Sequence, residues 1–261
     1  LGHLPLHQIH DGTIQPWVTE DRNNGLRSGT IKRRLAVVRT VLNNSARRWR
    51  HESGRPWLST APLITMPDWG DKRSGTALNW DEQTRLIKEL PSHLHSAALF
   101  AVNTGLRDGE QRALRWEWLQ EVEGTGQFII LPGEYTKNKV PRAVPLNAVA
   151  QSVVDNLRGD HPEFIFTYSG APYRYQLGAG AWTKARARAG LSTIRWHDWR
   201  HTFATRMQMM GVSEEIRNLI LGHKKYSMSE LYAHGSHQML IDAVKKVERP
   251  SGQQTVLRLV K

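Results

Sequence analysis

The sequence predicts a mainly α-helical fold with one small antiparallel β-sheet. Apolar residues recur at helical spacing through most of the 261 residues, while Gln127 to Leu131 and Arg142 to Leu146 are typical of a β-hairpin around a turn-rich connection. Hydrophobic residues make up 39% of the chain, including ten Trp, and Pro and Gly are near average. A buried core is therefore expected, within one large domain or two modest ones.

Residues 1–60 predict a small, partial helical domain. Asp11 or Thr13 is suited to start a first helix, and Ser28 is the predicted N-cap of a longer helix that runs to about Arg50. The apolar face of this longer helix is predicted to contain Ile31, Leu35, Val38, Leu42 and Trp49.

Residues 61–76, rich in Pro, Gly and charge, predict a flexible interdomain linker. A second domain is predicted over residues 77–250, followed by a C-terminal tail at 251–261. The apolar strip in that tail either packs within the chain or docks on a neighbouring protomer.

The helices of the second domain follow from their end signals. Asn79 with Glu82 three residues later predicts a helix start, and Gly105 suits the C-cap of a helix over His93–Asn103. A third helix is predicted over Glu110–Leu119. Further helices are predicted at Asn147–Leu157, Gly178–Ala189, His197–Met210, Glu214–Leu221 and His237–Val247.

The charge of the chain indicates a polyanionic partner. The formal net charge is +12, which favours nucleic acid first and an acidic membrane surface second, with a basic but non-binding protein as the alternative. The predicted helix from Ser28 has no acid between residues 31 and 50. We interpret its polar face as a contact for the DNA backbone; the alternative is a solvated face. Its cations are Lys32, Arg33, Arg34, Arg39, Arg47, Arg48 and Arg50.

Several classes of protein and site are disfavoured. The chain has no Cys, which removes disulfides, cysteine zinc sites and thiol nucleophiles, and fits a reducing cytosol. No apolar run reaches the roughly 18 residues that span a bilayer, so no transmembrane helix is expected. Of the two candidate partners we choose nucleic acid and predict no membrane partner. The N-terminal residues do not predict a signal peptide, and the absence of a first Met is consistent with a fragment.

Four short segments carry the side chains needed to cut a phosphodiester without a metal. They are TGLRDGE, YTKNKVPRAVPL, HDWRHTF and LGHKKYSMSELYAH, and they supply, in order, Arg107, Lys137, His197, Arg200, His223 and Tyr232. Guanidinium groups stay charged and match phosphate bidentately, so arginines can replace a metal ion. Each arginine alone could equally be a surface residue or a structural ion-pair partner.

A metal site is not expected. No carboxylate cluster suited to Mg²⁺ is evident in the sequence. His197 and His201 are four residues apart, as in some zinc sites, but the Glu that zinc hydrolases place beside the first His is absent. We therefore predict no metal and no cofactor.

The order, spacing and flanking residues of these segments resemble the tyrosine recombinase, or phage-integrase, family. The resemblance implies a helical core-binding (SAM-like) domain and a mainly α catalytic domain. By resemblance, Arg107 and Arg200 hold the scissile phosphate, and Glu110 orients Arg107. Lys137 is then the general acid for the leaving 5′ oxygen, with Lys139 as a nearby competitor.

The resemblance also assigns the remaining residues. His197 would transfer a proton with the tyrosine or hydrogen-bond the phosphate, and His223 would donate to the phosphate. Tyr232 would be the nucleophile, with Tyr226 as the weaker candidate. Attack would give a 3′-phosphotyrosyl link and a free 5′ hydroxyl, so rejoining needs no ATP.

These features predict a site-specific DNA recombinase of a phage or genomic island, acting as a homo-tetramer on double-stranded attachment sites. Accessory DNA-bending proteins and a bacterial cytoplasmic location, on the nucleoid during action, are expected by resemblance. Two alternatives stay open: a non-catalytic DNA-binding protein descended from an integrase, and a type IB topoisomerase-like nicking-closing enzyme.

Overall fold

The computed structural model describes residues 2, 4–71, 73–223 and 234–248. For residues 234–236 it describes the backbone only. The chain divides into two compact units, Leu1–Ser74 and Gly75–Lys261. Helices dominate both units and the second also holds a small antiparallel sheet, so the predicted fold class is confirmed. Among the described residues, no helix is long and apolar enough to cross a membrane.

The first unit is built on helices α1 (Asp11–Asn23) and α2 (Ser28–Arg47). α1 begins at Asp11, one of the two predicted starts. α2 ends three residues before the predicted Arg50, and Trp49 is 37% exposed with its ring beside that of Trp57. The buried core of the unit consists of Ile9, Ile14, Val18, Ile31, Leu35, Leu42, Leu58 and Ile64.

The start of α2 differs from the prediction. Ser28 is the first helical residue rather than the N-cap, which is Arg27. The Ser28 backbone N–H donates to a carboxylate oxygen of Asp71 at 2.8 Å, and the Ser28 hydroxyl donates to the other oxygen. An anion at the positive end of the helix dipole therefore takes the place of a local side-chain cap.

The segment predicted as a linker is largely part of the first unit. Ile64 is buried in its core, and the Thr65 N–H donates to the Asp11 carboxylate at 2.8 Å. Asp71 binds the start of α2 as described. The division between the units falls between Ser74 and Gly75, inside the predicted linker. Residues 61–71 are thus held by hydrogen bonds and burial.

The second unit alternates helices with short strands. Its helices are α3 (Trp80–Glu89), α4 (Ser92–Thr104), α5 (Asp108–Arg112), α6 (Ala148–Asn156), α7 (Ala181–Arg188), α8 (Asp198–Met209), α9 (Glu214–Leu221) and α10 (His234–Lys245). Its strands are β1 (Leu119–Val122), β2 (Gly126–Leu131), β3 (Arg142–Pro145), β4 (Thr167–Tyr168) and β5 (Ala171–Pro172). Most predicted helices appear within a few residues of their expected bounds.

Three strands form the main sheet of the second unit. The antiparallel order is β1-β2-β3, with Leu119 opposite Ile129 and Leu131 opposite Arg142. The predicted hairpin of β2 and β3 is confirmed. β1 and the small β4-β5 hairpin were not predicted, because both are short and half-exposed, so they lack a clear alternating pattern.

Local signals at α3 and α4 are confirmed. The Asn79 side chain accepts from the Glu82 N–H at 2.8 Å, and the Glu82 carboxylate accepts from the Asn79 N–H at 2.9 Å. Gly105 ends α4 in the left-handed conformation, with φ of 65°. These two features fix where the chain enters and leaves the helices that lead to Arg107.

The predicted helix over Glu110–Leu119 is too long. α5 ends at Arg112, because the chain turns away to pair with a later segment. Arg115 forms a β-bridge with Phe164, and the Trp116 N–H donates to the Glu163 carbonyl at 3.0 Å. Tertiary pairing thus overrides the local helical preference.

Candidate active site

A buried carboxylate organises the first part of the site. Glu110 Oε1 accepts from Arg107 Nη1 at 2.7 Å, and Glu110 Oε2 accepts from the Arg107 backbone N–H at 2.9 Å. Burial alone would raise the pKa of Glu110, but the cations Arg142 and Arg107 and the donated N–H hold it below its ordinary 4.5. Glu110 is therefore a charged partner that fixes both the backbone and the side chain of Arg107.

A third arginine, Arg142, was missed by the sequence reasoning. It stands at the start of β3, is 5% exposed, and donates from Nη2 to Glu110 Oε2 at 2.6 Å. Its Nη1 donates to the Ile220 carbonyl at 2.6 Å. The signal in the sequence is a charged residue at the start of an apolar strand, RAVPL, which by itself indicates only where the strand begins.

Arg200 is held between two backbone segments. It projects from the first turn of α8, and its Nη1 and Nη2 donate to the carbonyls of Gly105 at 2.6 Å and Leu221 at 2.5 Å. Burial, together with the charges of Arg142 and Arg107, lowers the pKa of Arg200 to about 9. The group therefore stays protonated at neutral pH, and a bound anion would stabilise it further.

The cluster carries more positive than negative charge. Three guanidinium groups interact with one another, and Glu110 is the carboxylate that partners them. Arg142 and Arg200 are buried, whereas the Arg107 side chain is 25% exposed. The cluster therefore has two positive charges in excess, and its Arg107 side chain is in contact with solvent. This arrangement is suited to binding an oxyanion.

Two predicted histidines lie beside the cluster. His197 precedes α8 and His223 follows α9, and both are exposed. Partial desolvation, followed for His197 by the charges of His201 and Arg200, lowers its pKa below 6.5. Partial desolvation and the charges of Arg200 and Arg107 likewise lower the pKa of His223. Both rings therefore favour the neutral form at pH 7.

The hairpin loop with the predicted lysine is held by side-chain hydrogen bonds and contacts the end of α9. Thr136 is buried, and its hydroxyl donates to the Val140 carbonyl and accepts from the Val140 N–H. The Asn138 side chain donates to the Gly222 carbonyl at 3.1 Å. Lys137 is exposed between these two anchored residues. Its competitor Lys139 turns back on the loop, donating to the Glu134 carbonyl.

The predicted nucleophile, Tyr232, lies outside the described residues, as do Tyr226 and the predicted tail at 251–261. The last described residue before Tyr226 and Tyr232 is His223, and α10 begins at His234. The structure therefore brings together Arg107, Glu110, Arg200, His197 and His223, with Lys137 on a loop that contacts Gly222.

No group of three or more His, Asp or Glu side chains suited to a metal ion occurs in the part of the chain that the structure describes. The His197 and His201 rings meet edge to face, with centroids 5.1 Å apart.

The basic face of α2 is largely exposed, and two of its cations form ion pairs. Arg34 forms an ion pair with Asp21 at 2.7 Å, and Lys32 pairs with Asp68 at 3.3 Å. Acids from outside residues 31–50 thus neutralise two of the cations, which local sequence could not indicate. The exposed cations of this face without an ion pair in the described chain are Arg33, Arg39, Arg47, Arg48 and, just beyond the helix, Arg50.

Comparison with known proteins identifies the family. The phage integrase family profile matches residues 77–239, which is more than half of the 261-residue chain. The chain belongs to the phage integrase family. The matched region includes Arg107, Lys137, Arg142, Arg200 and the two histidines His197 and His223. The resemblance to tyrosine recombinases is confirmed.

Characterised relatives of this integrase-family chain include phage and bacterial recombinases. The integrase of Salmonella phage P22 is 27% identical over 230 residues, covering 82% of this chain and 56% of that protein. The integrase of Escherichia phage P2 is 27% identical over 239 residues, covering 91% and 64%. The tyrosine recombinase XerC of Halalkalibacterium halodurans is 26% identical, covering 83% and 74%. The chain thus spans roughly half to two thirds of the two phage integrases.

Solved structures share the fold of this integrase-family chain. A lambda integrase dimer bound to a COC′ core site matches with a TM-score of 0.66 and 20% identity, over 87% of this chain and 84% of that one. A lambda integrase tetramer bound to a Holliday junction matches with a TM-score of 0.64 and 21% identity, over 88% and 66%.

Proposed function

We propose that this chain carries the DNA-cutting part of a site-specific recombinase that integrates or excises phage or genomic-island DNA. Tyr232 would attack a backbone phosphate, forming a bond between its phenolic oxygen and phosphorus while the bond from phosphorus to the 5′ oxygen breaks. The products are a 3′-phosphotyrosyl link and a free 5′ hydroxyl. Attack by that hydroxyl reverses the step. Attack by a 5′ hydroxyl of another strand instead forms a new phosphodiester and releases the tyrosine.

One observation carries the proposal: a cluster with two excess positive charges, built from Arg107, Arg142, Arg200 and Glu110. A phosphodiester carries one negative charge and gains a second as the tyrosine oxygen approaches. Fixed donors aimed at developing charge stabilise a transition state more than the ground state. In this proposal Arg107 and Arg200 contact the phosphate oxygens.

Proton transfers complete the proposed mechanism. A tyrosine has an ordinary pKa near 10 and needs a base to attack at pH 7. His197, whose lowered pKa leaves it neutral, is suited to accept the phenolic proton. Lys137 on the hydrogen-bonded hairpin loop would protonate the leaving 5′ oxygen, and His223 would donate a hydrogen bond to the phosphate.

Double-stranded attachment sites are the proposed substrate. Lambda integrase was solved bound to a core site and, as a tetramer, to a Holliday junction, and we infer that four copies of this chain act together on DNA. The first unit, with the exposed cations of α2, would serve as the core-type binding domain, and the tail after residue 250 would contact a neighbour. Accessory bending proteins would assist in the bacterial cytoplasm.

A covalent-trapping assay tests this function. The chain is incubated with labelled nicked duplexes carrying candidate attachment sites, quenched in denaturant and separated on a denaturing gel. An adduct that disappears in Tyr232→Phe but persists in Tyr226→Phe supports the proposal. Loss in Tyr226→Phe alone would assign the other tyrosine. DNA binding without any adduct would favour a binding-only protein, and relaxation of supercoiled DNA by a monomer would favour a nicking-closing enzyme.

A further inference from the structure

Arg142 is buried in the site, as Arg200 is, but the proposed chemistry gives Arg142 no step. It bonds Glu110 on one side and the Ile220 carbonyl on the other, and these partners lie 32 and 78 residues away in sequence. One side chain on β3 therefore connects the start of α5 with the end of α9.

The C-terminus of α9 is held by side chains at three successive carbonyls. Ile220 accepts from Arg142, Leu221 accepts from Arg200, and Gly222 accepts from Asn138. The last carbonyls of a helix have no partner within the helix and carry the negative end of its dipole. Two guanidinium groups and one amide satisfy them here, directly before His223.

Gly222 covers the Arg142 side chain. Its φ of 64° is left-handed, and a Cβ at this position would lie 2.9 Å from Arg142 Cδ and 3.2 Å from Nε. Arg142 Nε is buried without a hydrogen-bond partner among the described residues. Gly222 therefore closes one side of the Arg142 side chain to a substrate oxygen. The bonds of Nη1 and Nη2 to Ile220 and Glu110 favour a role through these neighbouring groups.

We infer that Arg142 is a positioning residue that fixes the end of α9, and with it His223, relative to the Arg107–Glu110 pair. This inference rests on the proposed function for its catalytic consequence. Without Arg142, the Ile220 carbonyl would lose its side-chain donor, and Glu110 Oε2 would lose one of its two donors. Reaction rates are sensitive to misplacements of about 1 Å, so the loss would reach the chemistry without touching DNA.

The test compares Arg142→Lys and Arg142→Met with Arg115→Lys and Arg115→Met. Arg115 is a matched control, because it also pairs with a glutamate, Glu163, but lies away from the cluster. Single-turnover adduct formation is measured at saturating nicked DNA, with DNA affinity and thermal unfolding in parallel. We expect both Arg142 variants to lose about 30-fold or more in rate, with affinity within about threefold, and both Arg115 variants to keep the rate.

A double-mutant cycle separates positioning from mere stabilisation. If Arg142 acts through Glu110, Arg142→Lys combined with Glu110→Gln will lose little more rate than the more damaging single variant. Multiplied losses, or a wild-type rate in folded Arg142→Lys, would overturn the inference. Should Arg142→Met fail to fold, Arg142→Lys carries the test, since it keeps the charge and most of the side chain.

Amide hydrogen exchange tests the same link independently of DNA cleavage. In Arg142→Lys we expect the amides of Gly222 and His223 to exchange about tenfold faster than in Arg115→Lys. Unchanged exchange would contradict the positioning role. If wild-type chain forms no adduct while exchange responds as expected, the proposed function fails and the structural link between β3 and α9 stands.

Discussion

The Gly105 carbonyl accepts a hydrogen bond from Arg200 Nη1 at 2.6 Å, joining residues 95 positions apart. Gly105 can present this carbonyl because it ends α4 with a left-handed φ of 65°. A Cβ at this position would lie 2.5 Å from Cδ1 of Phe203, which is three residues beyond Arg200 on α8. Backbone conformation and close packing both require glycine here.

Gly105→Ala should lower the free energy of unfolding by about 2–4 kcal/mol, since a left-handed alanine and an overpacked core each cost about 1–3 kcal/mol. Urea unfolding at pH 7.5 measures it. Gly109→Ala is the control, because Gly109 lies within α5 with no positive φ and open space at its Cβ, and should be neutral or slightly stabilising. Equal stability of the two variants would contradict the packing described for Gly105.

The stability of the DNA-free chain should fall as the pH drops below 6.5. His93, His95, His197 and His223 all have pKa values lowered in the folded state, chiefly by desolvation. Between the lowered pKa values and about 6.5, the unfolded chain therefore binds more protons than the folded chain. The free energy of unfolding rises with pH through this range, and the stabilisation from these histidines is complete above it.

Urea unfolding at pH 5.5 and pH 7.5 measures this dependence. His197→Gln should flatten it, whereas His51→Gln, at an exposed position of the first unit, serves as the control. A steeper dependence in His197→Gln than in wild type would show that the sign is wrong.

Lys137→Ala should slow adduct formation by about 10²–10⁴-fold, the usual contribution of a general acid. A substrate whose leaving 5′ oxygen is replaced by sulfur should restore most of the rate, because a thiolate leaves without a proton. Lys139→Ala is the matched control and should cleave normally, since Lys139 bonds its own loop. Failure of the sulfur substrate to rescue Lys137→Ala would remove Lys137 from the acid role.

The cations of α2 should differ in their effects on DNA affinity. Arg39→Gln should reduce the slope of log K against log salt by about 0.9 without changing stability, because Arg39 is exposed and carries no ion pair among the described residues. Arg34→Gln should instead destabilise the chain by about 1–3 kcal/mol, because it leaves the buried Asp21 unpaired. Salt titration and urea unfolding of both variants measure these effects, and an unchanged slope in Arg39→Gln would exclude that contact.

Features set by neighbouring residues were predictable from sequence. The Asn79–Glu82 capping box, the Gly105 C-cap and the hairpin of β2 and β3 all depend on interactions within a few residues. The resemblance of the motifs to the family implied Arg107, Glu110 and Arg200, which the fold brings together.

Features set by distant partners were not predictable. Asp71, 43 residues away in sequence, binds the start of α2, so that Ser28 is not the N-cap. The bridge between Arg115 and Phe164 ends α5 earlier than predicted. Arg142 was missed because its partners, Glu110 and Ile220, are far away in sequence and nothing local distinguishes it from a strand terminus. Long-range pairing is visible in a single sequence only where a motif marks it.

The two carbonyls that accept hydrogen bonds from Arg200 have a consequence for biosynthesis. The Gly105 carbonyl is made early, but the Leu221 carbonyl lies 21 residues beyond Arg200. Synthesis proceeds from the N-terminus, so a ribosome-bound chain carries its basic residues well before the anion site can take shape. The proposed strand breakage therefore becomes possible only in a chain that has been made past α9 and has closed around Arg200.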